Sequence, residues 1–149
     1  MDNYNITSQE KKGDVYYFVN WSPLSIADRY SIISKVPAVA GIFEIYWMDE
    51  HNRLRMFFVE KTIYGGLRSE IRRVTDPELN RTDAKTRKIL EEKEIWYRYT
   101  TTDSNNVMDD VIWFFMQIYF PEKTSFKHSG RYENIFLKES APDKLMWVP

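Results

Sequence analysis

The sequence predicts an α+β fold in which a small, mainly antiparallel central sheet is flanked by helices. Two apolar runs flank the turn-forming residues 49–52, a pattern that is typical of a β-hairpin. Segments with the apolar spacing of helices follow the hairpin, and one strand-like segment lies between them. These observations predict the order β-β-α-α-β-α over residues 39–120, with an N-terminal helix before it and a C-terminal extension after it.

Composition limits the classes of function. The chain has 149 residues, which favours one domain, and a formal net charge of −1, which gives no overall attraction to nucleic acid or acidic lipid. It has no cysteine, so disulfides and thiolate metal sites are excluded. Because no apolar run could span a membrane and the N-terminus has no apolar signal core, we expect a cytoplasmic protein. We predict a flexible N-terminus over residues 1–13 and a single globular domain over residues 14–149.

The residues before the hairpin are predicted to form a strand or extended arm and then a helix. Residues 14–20 are aromatic and β-branched, as strands are. Ser22 is a suitable N-cap, Pro23 is a suitable first-turn residue, and Pro37 ends the helix. Three apolar side chains recur at helical spacing and define the predicted buried face: Ile26, Tyr30 and Ile33.

The hairpin strands are predicted at about residues 39–48 and 53–61. The second strand is apolar on both faces, so we expect it to be central in the sheet. The pair Gly65-Gly66 precedes a short helix that Asp76-Pro77 ends. The apolar face of that helix is formed by Leu67, Ile71 and Val74.

A second helix, a strand and a strongly apolar helix complete the predicted core. Thr82 or Asp83 caps the second helix, which reaches about residue 93, and residues 94–101 alternate as a strand does. The last helix ends at Pro121. Its cap is Asp103, Ser104 or Asn105, and its apolar stripe is Met108, Val111, Ile112, Phe115, Met116 and Tyr119. In the extension, residues 122–149, short strands or a wrapping tail are expected at 132–137 and 145–148.

Two segments at the hairpin resemble a known pair of motifs, with a few more residues between them than is usual. The first reads VPAVAGIF, from Val36 to Phe43, and the second reads FVEKT, from Phe58 to Thr62. With the predicted element order, they make residues 36–121 resemble the GIY-YIG nuclease domain. Phe43 and Phe58 stand where that family has tyrosines, and Glu60 stands where it has a glycine.

The resemblance implies roles for residues on the two helices that bracket the site in that family. Arg68 falls at about the position of the family's helix arginine. The family's metal-binding glutamate on the last helix corresponds to Ile112, which offers a hard cation no oxygen. The tyrosine hydroxyls that would orient or deprotonate a water are also absent. We therefore expect a domain that has lost or altered metal-dependent nuclease activity and that acts as a binding module.

An active nuclease with shifted residues is the second hypothesis. Arg68 would contact the phosphate, and Tyr46 or Tyr64 would lie beside the water. Asp109 or Asp110 would hold magnesium or manganese, the cofactors expected only if the chain cleaves nucleic acid. An alternative interpretation is that the two aspartates favour the helix dipole.

The expected partners are nucleic acid or another protein. A local excess of basic residues includes the candidate phosphate contacts Lys61, Arg68, Arg72 and Arg73, although a solvated face with internal ion pairs would have the same composition. A third hypothesis is a small cytoplasmic inhibitor or assembly protein that uses exposed aromatics and residues 122–149. No membrane contact is expected, and the sequence does not determine the oligomeric state.

Overall fold

The structure is a computed structural model that describes residues 4–80, 83–123 and 125–142, together with the backbone of residues 147–148. The helices are α1 (Arg29–Lys35), α2 (Gly66–Thr75), α3 (Ala84–Glu92) and α4 (Asn105–Tyr119). The strands are β1 (Ile6–Lys11), β2 (Asp14–Asn20), β3 (Ser25–Ile26), β4 (Gly41–Met48), β5 (Leu54–Thr62), β6 (Ile95–Thr101), β7 (Asn134–Ser140) and β8 (Trp147–Val148).

The main sheet has five strands in the order β3-β6-β4-β5-β8. Its neighbours are antiparallel except β5 and β8, which are parallel. The α+β class, the hairpin formed by β4 and β5, and the order of elements from β4 to α4 are confirmed. The strand that is central is β4 rather than the predicted β5, since β4 is paired on both sides along nearly all of its length.

A second sheet, which the sequence did not predict, has three strands in the order β1-β2-β7. Ile6–Lys11, which the sequence assigns to a flexible N-terminus, pair with β2 in an antiparallel ladder. They are polar because β1 is an edge strand whose side chains are mostly exposed. Residues 1–3 lie outside the described part of the chain.

The N-terminal helix differs from its prediction in both its start and its buried face. It begins at Arg29, where the Asp28 side chain accepts a hydrogen bond of 2.9 Å from the backbone of Ser31. Residues 25–26 form β3 instead of a first helical turn. The buried helix residue is Ile32, whereas the predicted face is exposed, at 44% for Ile26, 83% for Tyr30 and 45% for Ile33.

The other helices and β6 lie where the sequence predicts them. Asp83 caps α3, and its carboxylate accepts a hydrogen bond of 2.7 Å from the Thr86 backbone. Ser104 caps α4. The predicted apolar faces of α2 and α4 are buried at Leu67, Ile71, Val74, Met108, Val111, Ile112, Phe115 and Met116.

The main sheet is covered on both faces, and α4 lies between the two sheets. One core joins the inner side chains of β2 to α4 and to the near face of the main sheet, through Val15, Tyr17, Val19, Ile42, Val59, Met108 and Phe115. The second core packs the opposite face against α1, α2 and α3, through Ile32, Phe43, Ile45, Leu67, Ile71, Leu90 and Tyr97. The order of layers is therefore small sheet, α4, main sheet and helices α1–α3.

The C-terminal extension contributes one strand to each sheet. β7 pairs in parallel with β2, and β8 pairs in parallel with Leu54 and Arg55 of β5. The predicted short strands of the extension are confirmed at 134–137 and 147–148; residues 145–146 lie outside the described part of the chain. None of the described helices has the length and apolar character needed to cross a membrane.

Candidate anion-binding pocket

Three arginines of α2 line one pocket on the helical side of the main sheet. Arg68, Arg72 and Arg73 share it with Ser69 of the same helix, and the cavity measures about 410 Å³. The remaining walls come from residues that include Ile33 of α1 and Leu79 after α2. None of the described residues that line this arginine pocket is acidic.

The three guanidinium groups differ in their partners. Arg68 donates a hydrogen bond of 2.7 Å from Nε to the backbone oxygen of Val36, which fixes the side chain against the end of α1. Arg73 is paired with Glu70, with 2.6 Å between its Nη2 and the Glu70 Oε1. The Nε of Arg72 is buried, and no described residue accepts a hydrogen bond from it.

The buried Nε of Arg72, which has no described acceptor, is the feature that gives this pocket its chemistry. A buried donor without an acceptor costs about 1–3 kcal/mol, and more when the group is charged. An anion bound by the guanidinium of Arg72 would offset part of that cost. Arg68 and Arg72 are one helical turn apart, so both can face the same ligand.

The helix N-terminus does not supply the anion contacts here. The backbone N–H of Leu67 donates to the oxygen of Val39 at 2.8 Å, and that of Arg68 donates to Pro37 at 3.3 Å. These first-turn amides are therefore occupied by the segment that precedes β4. Recognition of an anion in this pocket depends on the arginine side chains.

The structure separates Lys61 from the arginines with which the sequence grouped it. Lys61 points toward α4, where its Nζ donates to Asp109 at 2.5 Å and to Asn105 at 2.8 Å. It lines a different pocket, a groove between β5 and α4. The predicted patch of four cations is thus a cluster of three on α2 and one residue elsewhere.

Besides Glu60, the groove brings together four positions that the nuclease hypotheses singled out. Phe58, Lys61, Asp109 and Ile112 all line it. Phe43 does not, because its side chain is fully buried in the core on the other face of the sheet.

The candidate catalytic residues do not converge with those four positions. Tyr46 is fully buried, and its hydroxyl donates a hydrogen bond of 2.6 Å to Glu44. Tyr64 is 92% exposed. Arg68 lies in the arginine pocket and does not line the groove.

The two candidate metal ligands have different partners. Asp109 is at the groove, paired with Lys61. Asp110 is buried and accepts hydrogen bonds from the Tyr17 hydroxyl at 2.5 Å and from the Ser129 backbone at 2.7 Å, with Arg131 3.7 Å away. Among the described residues, no three or more histidine, aspartate or glutamate side chains are grouped as they would be to hold a metal ion.

A buried ion pair at the centre of the main sheet is a feature that the sequence analysis missed. Glu44 and Arg98 are directly opposite each other on β4 and β6, with 2.5 Å between the Glu44 Oε1 and the Arg98 Nε. The Arg98 guanidinium also lies 4.4 Å from the ring centroid of Trp21, whose Nε1 donates to Glu139 at 2.7 Å. Burial raises the pKa of Glu44, an effect that Arg98 and the Tyr46 hydroxyl oppose.

The sequence signal for that ion pair was one charged residue in each of two mainly apolar strands, Glu44 in β4 and Arg98 in β6. It could be interpreted only with the β4–β6 register, which the sequence does not give. The groove residues contributed by the extension, such as Phe126 and Lys127, had no sequence signal at all.

A family model described as "Uncharacterised protein" matches residues 5–149, so the chain belongs to that family. No curated protein and no solved structure matches the chain.

Proposed function

We propose that this chain is a binding domain that holds a phosphate group of its ligand in the arginine pocket. The nucleic-acid backbone is the source of phosphate that the sequence predicts. The observation that supports this most directly is Arg72, which lines a pocket without acidic walls while its buried Nε has no described partner.

The chemistry of the pocket favours phosphate over a single carboxylate. A phosphate group offers several oxygens to more than one guanidinium, and each arginine can use two N–H groups in a planar fork. Arg68 is already held by Val36, so it loses little further side-chain freedom when a ligand binds. The half-exposed side chains of Ile33 and Leu79 can pack against the sugar or base that bears the phosphate.

The proposal is for binding without cleavage in a cytoplasmic protein. Two observations support binding without cleavage. Ile112 offers no oxygen where the nuclease resemblance implies a metal ligand, and Asp109 is paired with Lys61. An active nuclease also needs Arg68 near these groups, whereas Arg68 lines a different pocket.

The test is a titration of the protein with inorganic phosphate, a mononucleotide and a short single-stranded DNA, followed by NMR of the arginine Nε–H signals. We expect saturable shifts at Arg68 and Arg72. Arg72→Gln should weaken binding at least about tenfold, which is about 1.4 kcal/mol. Arg87→Gln is the matched control, because it removes the same charge from α3, where Arg87 contacts only the exposed Glu91 at 3.9 Å among the contacts described.

Five results decide the proposal. Tighter binding of DNA with a steep salt dependence would identify nucleic acid as the ligand, whereas equal binding of the mononucleotide would identify a free phosphate ester. Equal weakening by the two variants, or no saturable shift with any probe, would refute the arginine pocket. Nicking of plasmid DNA with magnesium or manganese that disappears in Arg68→Ala would instead support the active-nuclease hypothesis.

A further inference from the structure

We propose that the groove between β5 and α4 binds an extended, acidic segment of a partner protein, which adds to the main sheet as a strand beside β5. This surface is separate from the arginine pocket, and the inference does not depend on the proposed function.

The position of the groove follows from which residues of β5 line it. Side chains alternate between the two faces of a strand, so a cavity on one face would contact every second residue. This groove is lined by five successive residues, from Phe57 to Lys61. A cavity in contact with all five lies along the edge of the strand.

That edge is open over most of its length. β5 is paired with β4 on one side along residues 54–62. On the other side, β8 pairs only with Leu54 and Arg55 among the described strands. The remaining backbone N–H and C=O groups on that side have no strand neighbour in the described part of the chain, and such an edge is a template for another extended chain.

A bulge at Phe57 shapes the start of the open edge. The register shifts between Ile45 and Tyr46, so Phe57 is left out of the ladder with β4. As a result the rings of Phe57 and Phe58 stack, with centroids 4.2 Å apart and planes 11° from parallel. Both rings line the groove and form its apolar end.

The opposite wall completes a channel suited to a single strand. It consists of Ile112 and Met116 of α4 and of the segment after that helix, including Phe126. The groove has a volume of about 330 Å³. Apolar side chains on one side of an added strand would fit between these residues.

The charges at the rim indicate an acidic occupant. Lys123 and Lys127 line the groove and have no carboxylate partner within ion-pair distance among the described residues, whereas a third lysine, Lys61, is paired with Asp109. Glu60 also lines the groove; burial raises the pKa of this carboxyl, and Arg73 and Lys123 oppose the shift. Carboxylates of the added strand would therefore meet ammonium groups at the rim.

A second copy of this chain is a poorer occupant. Pairing of two β5 edges around a two-fold axis would bring Lys123 and Lys127 of both copies, which have no described carboxylate partner, to one interface. Like charges at an interface oppose association. The rim thus favours a partner with carboxylates over self-association.

The experiment begins with selection of binders from a random-peptide phage library on the purified full-length chain. We expect the selected peptides to alternate apolar and acidic residues. Synthetic copies should shift the backbone amide NMR signals of residues 57–62 and 120–127. Lys123→Glu with Lys127→Glu should weaken their binding at least about tenfold. Lys85→Glu with Lys88→Glu, which makes the same charge change on exposed residues of α3, should leave binding unchanged.

Several outcomes would refute the inference. These are the absence of any enriched peptide, shifts that avoid the β5 amides, or equal weakening by the two double variants. Sedimentation that reveals a dimer dissociated by the Lys123 and Lys127 changes would assign the groove to a second copy instead. Phosphate binding in the double variant is measured in parallel, so that failure of this inference is distinguished from failure of the proposed function.

Discussion

Single polar side chains connect several elements of this protein through partners that are distant in sequence. Asp110 connects α4 to Tyr17 of β2 and to the backbone of Ser129. The ion pair between Glu44 and Arg98 connects β4 to β6. Since a buried charge that loses its partner is strongly destabilising, these residues restrict which register and which packing the chain can adopt.

Asp49 is the polar residue that organises the hairpin turn. Its Oδ1 accepts hydrogen bonds from the backbone N–H groups of His51 at 2.8 Å and Arg53 at 2.9 Å, and its Oδ2 accepts one from the Arg55 side chain at 2.9 Å. The hydrogen bond from the Arg53 backbone contributes most to lowering the pKa of Asp49 below its usual 3.8. The hydrogen bonds from Arg55 and His51 lower this pKa further.

This pKa shift predicts a specific dependence of stability on pH. Because the folded-state pKa is below the unfolded value, the stabilisation by ionised Asp49 is fully present above pH 3.8 and is lost as the pH falls through the folded-state pKa. Asp49→Asn should therefore be less stable than the wild type at neutral pH, and the difference should shrink in acid. Denaturant unfolding over a pH series measures it. Glu50→Gln, in the same turn, is the control, and a pH-independent difference for Asp49→Asn would contradict the argument.

At the scale of elements, β4 is the strand that the rest of the main sheet surrounds. It begins at Gly41, where the backbone passes close to β6 and α2. A Cβ atom at this position would lie 2.2 Å from the Thr100 backbone oxygen and 2.9 Å from the Leu67 Cδ1. The absence of a side chain allows the two strands and the helix to approach each other there.

Gly41→Ala should consequently destabilise the fold. We expect a loss of about 1–3 kcal/mol in the free energy of unfolding, as for other overpacked sites. Denaturant unfolding would measure it. Gly130→Ala is a useful comparison, because its Cβ would meet nothing within 4 Å and only the backbone, at φ +81°, would be strained. A smaller loss of unfolding free energy for Gly41→Ala than for Gly130→Ala would contradict the argument that the close approach at Gly41 excludes a side chain.

At the scale of the whole molecule, α4 is the helix that both sheets share. Its apolar stripe packs against the inner residues of β2 and against β4 and β5 within one core. Phe115, in the middle of that stripe, is fully buried, with its ring centroid 6.0 Å from that of Trp21 and 5.7 Å from that of Tyr119. Loss of this helix would expose one face of each sheet.

The shared helix predicts that both sheets unfold together. Phe115→Ala should lower the free energy of unfolding by about 3–5 kcal/mol, while Ile118→Ala, at a residue of α4 that is 54% exposed, should have a much smaller effect. Curves followed by tryptophan fluorescence and by far-ultraviolet circular dichroism should coincide for the wild type and for Phe115→Ala. Separate transitions would indicate that the sheets unfold independently.

The α+β class, the hairpin, and the positions of α2, α3, α4 and β6 follow from the sequence, because local spacing and capping residues such as Asp83 and Ser104 determine them. The small sheet does not, since the polar residues of β1 are ordered only by pairing with β2. The buried face of α1 likewise depends on how the helix packs in the fold. Ile32 is buried, although Ile26, Tyr30 and Ile33 have the predicted helical spacing.

The same division applies to the candidate sites. The sequence determined which residues are charged and that Arg68, Arg72 and Arg73 lie on one side of a helix. Tertiary structure alone decided that Lys61 belongs to a different surface, that Tyr46 is buried, and that β5 has an open edge beside the C-terminal extension. The reason is physical: helix faces depend on residues three or four apart, whereas a groove depends on which distant segments the chain packs together.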